Sequence, residues 1–205
     1  MNDFKNNKNR KSQRLTTYDY SQDGLYFITI CTKDRQELFG EIKNKTMILN
    51  RLGEIIKNSL INISNYFENI FLDTYVIMPN HVHIIIEINH VDVATVNNIV
   101  MTVGNRVGAV GSIVGAVGNI VGAVHEPPLR DRRQMLIPRI LGKFKMLSAK
   151  EINISLNNSG NSIWQRNYYD HIIRNDESLN KIREYIIKNP EMWQRDRNLP
   201  ENVFV

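Results

Sequence analysis

The segment at residues 75–88, YVIMPNHVHIIIEI, decides the fold predicted for this chain. It joins the end of a predicted strand at 70–78 to a second predicted strand at 81–88, with the Pro79-Asn80 pair between them. Such a pair favours a tight turn, so the two strands are expected to form an antiparallel hairpin. Alternate strand residues lie on opposite faces of a sheet. One face of the second strand is therefore aliphatic and suited to packing under helices, with Val82, Ile84, Ile86 and Ile88.

The opposite face of the second strand carries two histidines, His81 and His83, together with Ile85 and Glu87. At about 3.3 Å of rise per residue, the two histidines lie roughly 7 Å apart at the Cβ level. Both imidazoles can then bind one metal ion. A His-x-His pair can equally be two surface histidines, so by itself it leaves both interpretations open. We do not expect Glu87 to be a direct metal ligand, because it lies four residues beyond His83.

Upstream of the hairpin, the sequence predicts two strands and a helix. The β-branched and aromatic segment LYFITICT at 25–32 indicates a buried strand, and a short strand is expected at 46–49. Asn50 is a suitable N-cap for a helix that runs to about residue 67. The apolar stripe of this helix has three- and four-residue spacing and consists of Leu52, Ile55, Ile56, Leu60 and Ile63.

Downstream of the hairpin, the sequence predicts two helices and one short final strand. The later part of LRDRRQMLIPRILGKFKMLSAKEIN, at 129–153, indicates a basic amphipathic helix. The final strand is expected at 162–166. Asn175 or Asp176 can cap the last helix, which must end near Pro190 because proline cannot continue it. The inward residues of the basic helix are predicted to be Ile140, Leu141, Phe144 and Leu147.

The composition is that of one globular domain with a basic surface. Hydrophobic residues make up 42% of the 205 residues, which is sufficient for a packed core. The 26 Lys and Arg residues exceed the 21 Asp and Glu residues, giving a net charge of +5, which is compatible with a polyanionic partner. The single cysteine, Cys31, excludes an intramolecular disulfide and fits a reducing cytosol. Residues 1–22 lack the apolar core of a signal peptide and are expected to form a flexible basic arm.

A seven-residue repeat interrupts this pattern. VGNRVGA, VGSIVGA and VGNIVGA occupy 103–109, 110–116 and 117–123. Polar residues break the repeat often enough to argue against a membrane span, and paired glycines oppose a helix. We interpret residues 93–128 as a low-complexity insertion in a surface loop.

Tyr185 and Asn189 supply the remaining parts of a possible reaction centre. They lie four residues apart in the last predicted helix, with Cβ atoms about 5–6 Å apart on one face. A tyrosine hydroxyl, an amide oxygen and two imidazoles are the components of a metal-assisted phosphoryl-transfer site, with tyrosine as nucleophile. Tyr168 or Tyr169 is an alternative nucleophile, although neither has an amide four residues later.

Four segments in this order resemble the REP-associated tyrosine transposases, which belong to the single-tyrosine HUH (His-hydrophobic-His) transposases. They are YFITICTKDRQELFGEI, YVIMPNHVHIIIEI, WQRNYYDHIIRN and IREYIIKNP. The resemblance implies an α+β, ferredoxin-like, mostly antiparallel sheet, with helices on one face and the catalytic helix on the other. It implies that His81, His83 and Asn189 bind Mg²⁺ or Mn²⁺ and that Tyr185 is the nucleophile.

The same resemblance implies cleavage and rejoining of single-stranded DNA beside a hairpin, through a covalent 5′-phosphotyrosine. The expected protein is cytoplasmic, associated with the nucleoid when bound to DNA, not a membrane protein, and a monomer or homodimer. Its single domain is expected at 23–190, with the insertion at 93–128 and a tail at 191–205.

Several basic and aromatic side chains are candidate DNA contacts. Two other functions remain open at this point: a metal-dependent nuclease that uses water, and a catalytically decayed DNA-hairpin-binding protein. The candidate DNA contacts are Arg139, Lys143, Lys145, Arg166, Tyr168, Tyr169, His171 and Arg174.

Overall fold

The computed structural model describes residues 18–90, 134–196 and 198. The predicted insertion at 93–128 and most of the predicted N-terminal arm lie outside these residues. Within the described ranges, no helix combines the length and apolar character needed to cross a bilayer.

The main sheet has four strands and holds the predicted hairpin at one edge. The described residues form six strands: β1 (Gly24–Cys31), β2 (Gly40–Lys43), β3 (Thr46–Leu49), β4 (Ile70–Met78), β5 (His81–Ile88) and β6 (Tyr169–Ile173). The main sheet has the order β4-β5-β1-β6, and each neighbouring pair is antiparallel. Helical connections lie between β1 and β4 and between β5 and β6, which is the ferredoxin-like arrangement expected from the sequence.

In the described part of the chain, three α-helices accompany the sheet: α1 (Arg51–Ile61), α2 (Leu136–Ser155) and α3 (Asp176–Lys188). The Asn50 side chain caps α1 as predicted, accepting hydrogen bonds from two backbone N–H groups. A 3₁₀ turn at Asn62–Tyr66 continues the chain close to the predicted end of this helix. Asn175 caps α3 by accepting a hydrogen bond from the backbone N–H of Ser178 at 2.8 Å.

Each face of the main sheet packs against a different set of helices. On one face, the aliphatic row of β5 packs in the main core with α1 and α2, as the alternation in β5 predicts. On the other face, α3 covers a smaller cluster. The buried members of this smaller cluster are Phe27, Ile85, Ile173, Leu179 and Ile186.

The predicted strand at 162–166 is wrong, and the last strand is β6. Ile163 and Trp164 are both buried, but they join the core without forming a ladder with another strand. The segment makes only an isolated bridge between Thr32 and Trp164. Instead, β6 pairs with β1 over five residues, from Leu25 opposite Ile173 to Thr29 opposite Tyr169.

A second small sheet consists of β2 and β3, of which the sequence predicted only β3. Gly40 begins β2 with a φ of 140°, a conformation that other residues rarely adopt. A Cβ atom at this position would lie 2.0 Å from the carbonyl oxygen of Ile48, so only glycine fits this close approach.

Candidate active site

The two histidines of β5 point at each other beneath the surface. His81 and His83 are fully buried, and their Nε2 atoms lie 3.0 Å apart. Two ligand atoms at right angles around a cation, each about 2.1 Å from it, are separated by a similar distance. The strand pleat therefore brings the imidazoles together on one face, as the sequence predicts.

Asn80 determines that the Nδ1 atom of His81 carries a proton. The Asn80 Nδ2 group donates to the carbonyl oxygens of Asn198, at 2.7 Å, and Arg35, at 3.2 Å, which orients the amide. Its Oδ1 atom then lies 2.8 Å from His81 Nδ1, and because Oδ1 can only accept, Nδ1 carries the proton. The Nε2 atom of neutral His81 therefore presents a lone pair to the space between the histidines.

Two side chains of β1 hold His83. Thr29 lies directly opposite His83 in the sheet, and its Oγ1 atom is 2.8 Å from His83 Nδ1. The Phe27 ring stacks on the imidazole with 5.4 Å between ring centroids. Hydrogen bonds and packing of this kind orient histidines that bind metals.

Tyr185 reaches the histidines from α3. Its hydroxyl lies 3.2 Å from His83 Nε2, and its ring meets Phe27 edge-on. The Tyr185 side chain is 42% exposed, whereas both histidines are fully buried. The hydroxyl thus stands at the boundary between the buried imidazoles and solvent, where a large substrate can reach it.

Asn189 follows α3 and lies at the start of a 3₁₀ helix, Asn189–Arg195. The residue is 2% exposed, and its side-chain Oδ1 atom has no hydrogen-bond partner among the described residues. A buried amide oxygen without a partner is costly.

Asp196 is the residue of this site that the sequence did not predict. It is 7% exposed, and its Oδ2 atom lies 3.7 Å from His81 Nε2. Among the described residues, the ligand atoms of His81, His83 and Asp196 lie within 4.8 Å of one another and could hold a metal ion. Its position depends on the path of the chain after Pro190, for which the sequence offers no periodic signal.

The donor set fits a divalent cation. The imidazole nitrogens of His81 and His83 and the carboxylate of Asp196 form a mixed nitrogen and oxygen environment. Carboxylate and carbonyl oxygens suit Mg²⁺ and Mn²⁺, and imidazole nitrogens make Mn²⁺ the better match of the two.

No family model matches the chain. A protein of Haemophilus influenzae strain Rd, described only as "Uncharacterized protein", is 36% identical over 189 residues, which is 92% of each chain. Our chain belongs to the family of that protein. Among solved structures, a REP-associated tyrosine transposase bound to a REP hairpin superposes with a TM-score of 0.51 at 14% identity. That match covers 89% of this chain and 73% of the transposase, and it confirms the predicted fold.

The two alternative tyrosines of this family member lie on different faces of the sheet. Tyr168 packs against the main core with α1 and α2, and Lys145 Nζ lies 5.8 Å from its ring centroid. Tyr169 packs in the α3 cluster, with its ring 6.4 Å from that of Phe27. The tyrosine hydroxyl found at the histidine pair is that of Tyr185.

The candidate DNA-contacting residues are divided between the two faces. Arg139, Lys143 and Lys145 belong to α2, on the face opposite the histidines. Lys145 Nζ donates to the carbonyl oxygens of Gln165 and Asn167, at 2.8 and 3.0 Å. In contrast, β6 carries two candidates, Tyr169 and His171, on the histidine face. The exposed candidates beyond α2 are Arg166, His171 and Arg174.

An ion pair anchors α3 to the edge of the sheet. The register of β4 shifts between Leu72 and Tyr75, where Asp73 lies. Arg183 Nε donates to Asp73 Oδ1 at 2.9 Å, and a second guanidinium nitrogen donates to Oδ2. These hydrogen bonds, with a smaller one from Thr74, lower the pKa of Asp73, although partial burial opposes the shift. The pair restrains the helix that carries Tyr185.

Proposed function

We propose that this protein is a single-tyrosine transposase of the HUH type, which cleaves and rejoins single-stranded DNA through a covalent 5′-phosphotyrosine. The observation that carries the proposal is the 3.2 Å contact between the Tyr185 hydroxyl and a buried pair of histidines. The fold of a hairpin-binding transposase supports the same conclusion.

In this proposal, His81, His83 and Asn189 hold Mg²⁺ or Mn²⁺. When bound, the cation supplies Lewis-acid stabilisation of the charge on the scissile phosphate. Asn80 and Thr29 keep the two imidazoles oriented, through the contacts to their Nδ1 atoms. The Asn189 Oδ1 atom, which has no hydrogen-bond partner among the described residues, is the third protein ligand in this proposal.

Tyr185 performs the covalent step. Its Oη atom forms a bond to phosphorus, and the bond between phosphorus and the 3′-oxygen breaks. The proton lost by the phenol is balanced by the proton gained by the leaving 3′-oxygen. In the reverse direction, a 3′-hydroxyl attacks the phosphotyrosine and releases Tyr185, so rejoining needs no nucleotide cofactor.

The partner in this proposal is single-stranded DNA next to a hairpin. The net charge of +5 favours association with phosphates. The strand β6 forms the sheet edge next to β1, and exposed residues in and near it, His171, Arg174 and Arg166, are candidate phosphate contacts.

A labelled-DNA assay tests the proposal. The full-length protein is incubated with Mn²⁺ and DNA hairpins carrying labelled single-stranded flanks, and a label-bearing protein band is sought after denaturation. We expect this band for the wild type and for Tyr169→Phe, and none for Tyr185→Phe.

The same assay separates the alternatives. Cleavage that survives Tyr185→Phe and leaves no protein on the DNA indicates a nuclease that uses water. Hairpin binding by the wild type without metal-dependent cleavage indicates a decayed DNA-binding protein. An adduct that persists in Tyr185→Phe contradicts the assignment of the nucleophile.

A further inference from the structure

We propose that Asp196 is a fourth protein ligand of the metal site, brought there by the segment that follows α3. The inference rests on the proposed metal-dependent function and adds an anionic ligand to its three neutral ones. It also gives a role to a region that the sequence pattern suggests is only a tail.

The two carboxylate oxygens of Asp196 have different surroundings. Oδ1 accepts a hydrogen bond from the backbone N–H of Asn198 at 2.6 Å. Oδ2 lies 3.7 Å from the Nε2 atom of His81, which carries the lone pair. The local turn explains the position of Oδ1, whereas Oδ2 faces the space between the histidines.

Asn198 fixes the turn that presents this carboxylate. Its side-chain Oδ1 atom accepts a hydrogen bond from Arg35 Nη1 at 2.8 Å, and its carbonyl oxygen accepts one from Asn80 Nδ2 at 2.7 Å. Asn80 is also the residue that orients His81. One hydrogen-bonded network therefore positions both the imidazole and the carboxylate.

Packing of the 3₁₀ helix Asn189–Arg195 also restrains the position of Asp196 relative to His81. Trp193 is buried, stacks on the His81 ring with 6.1 Å between centroids, and packs against Met78. The 3₁₀ helix thus packs beside His81, which helps to hold the Asp196 carboxylate near that imidazole.

The charge of Asp196 fits this role. Burial of a carboxylate is unfavourable unless a cation or hydrogen bonds compensate for it. A divalent cation beside His81 Nε2 would lie next to Asp196 Oδ2 and would add to that compensation. Four protein ligands leave two positions on a six-coordinate cation for oxygen atoms of DNA or water.

Isothermal titration of the DNA-free protein with Mn²⁺ tests the inference. Asp196→Asn keeps an oxygen that accepts the Asn198 N–H bond but removes the charge. We expect this substitution to raise the Kd for Mn²⁺ at least tenfold. Glu191→Gln, which removes one charge from an exposed position in the same 3₁₀ helix, is the matched control, with an expected change below about twofold.

A second measurement does not depend on the folding of a variant. Electron–nuclear double resonance of Mn²⁺ bound to wild-type protein, labelled with ¹³C at aspartate carboxyls, should show coupling to a ligand carboxylate. Absence of that coupling, or an unchanged Kd in Asp196→Asn, overturns the inference while leaving the histidine site intact. Wild-type protein that binds no Mn²⁺ overturns the metal site itself.

Discussion

Replacing Thr29 by valine removes one hydroxyl from the site and leaves the shape of the side chain almost unchanged. Thr29 is 4% exposed, and its hydroxyl lies 2.8 Å from His83 Nδ1. When His83 binds a cation through Nε2, its Nδ1–H group must donate, and the Thr29 oxygen accepts. Valine removes this acceptor from the buried Nδ1–H group.

The expected effect falls mainly on metal affinity. In the metal-free protein, His83 can carry its proton on Nε2 and donate to the bare Nε2 of His81, 3.0 Å away, so the lost contact is a neutral one. A neutral hydrogen bond contributes about 1 kcal/mol. A cation on the imidazole makes the lost bond charge-assisted and about twice as strong. The difference between the two losses is about 1 kcal/mol, so we expect a Kd for Mn²⁺ about fivefold higher.

Mn²⁺ titration of Thr29→Val and Thr29→Ser measures this effect. Serine keeps the hydroxyl and is expected to bind Mn²⁺ within about threefold of the wild type, since it loses only the methyl group. Equal Kd values for the wild type and Thr29→Val refute the reasoning, as does an equal loss in both variants, which would indicate packing instead.

Two further predictions concern α3 and the residue that follows it. Asn189→Leu should raise the stability of the metal-free protein by about 1 kcal/mol, because it removes a buried oxygen without a partner, and should reduce the rise in Tm caused by Mn²⁺. An unchanged Mn²⁺-dependent rise contradicts the ligand assignment. Arg183→Met should cost about 1 kcal/mol at pH 7, discounted for solvent screening because the arginine is 39% exposed. The pKa of Asp73 is lower in the folded protein than in the unfolded chain, where it is about 3.9. The ion pair therefore stabilises the fold above that pH, and its contribution is lost as the pH falls. The denaturant melts of the two proteins should therefore converge as the pH falls below about 3.9, and a difference that stays constant as the pH falls argues against the ion pair.

Local signals in the sequence predict the parts of the site that depend on one element. The Pro79-Asn80 turn and strand alternation place His81 and His83 together on the face opposite the aliphatic row. Helical spacing likewise places Tyr185 and Asn189 on one face. Each of these predictions uses the geometry of a single strand or helix, which a short window of sequence determines.

Features that depend on distant contacts are harder to predict. The adjacent apolar residues Ile163 and Trp164 wrongly predict a strand at 162–166. Both side chains contribute to the main core from an irregular segment. Asp196 reaches His81 only because Trp193 and Asn198 fold the chain back. Helical spacing does not indicate which strand a helix covers. The position of α3 above the histidines is therefore an expectation from the family resemblance alone.

The length of β5 separates the site from the repeat insertion. His81 begins this strand and Ile88 ends it, which corresponds to roughly 23 Å at the usual rise per residue. Beyond Ile88, His90 is tied to Asp23, and the chain returns at Leu136, whose backbone N–H group donates to Ser21. The described residues that flank the insertion, His90 and Leu136, are therefore at the end of the sheet away from the histidines. A change in the number of seven-residue copies between them would leave β5, and with it the spacing of the two imidazoles, unchanged.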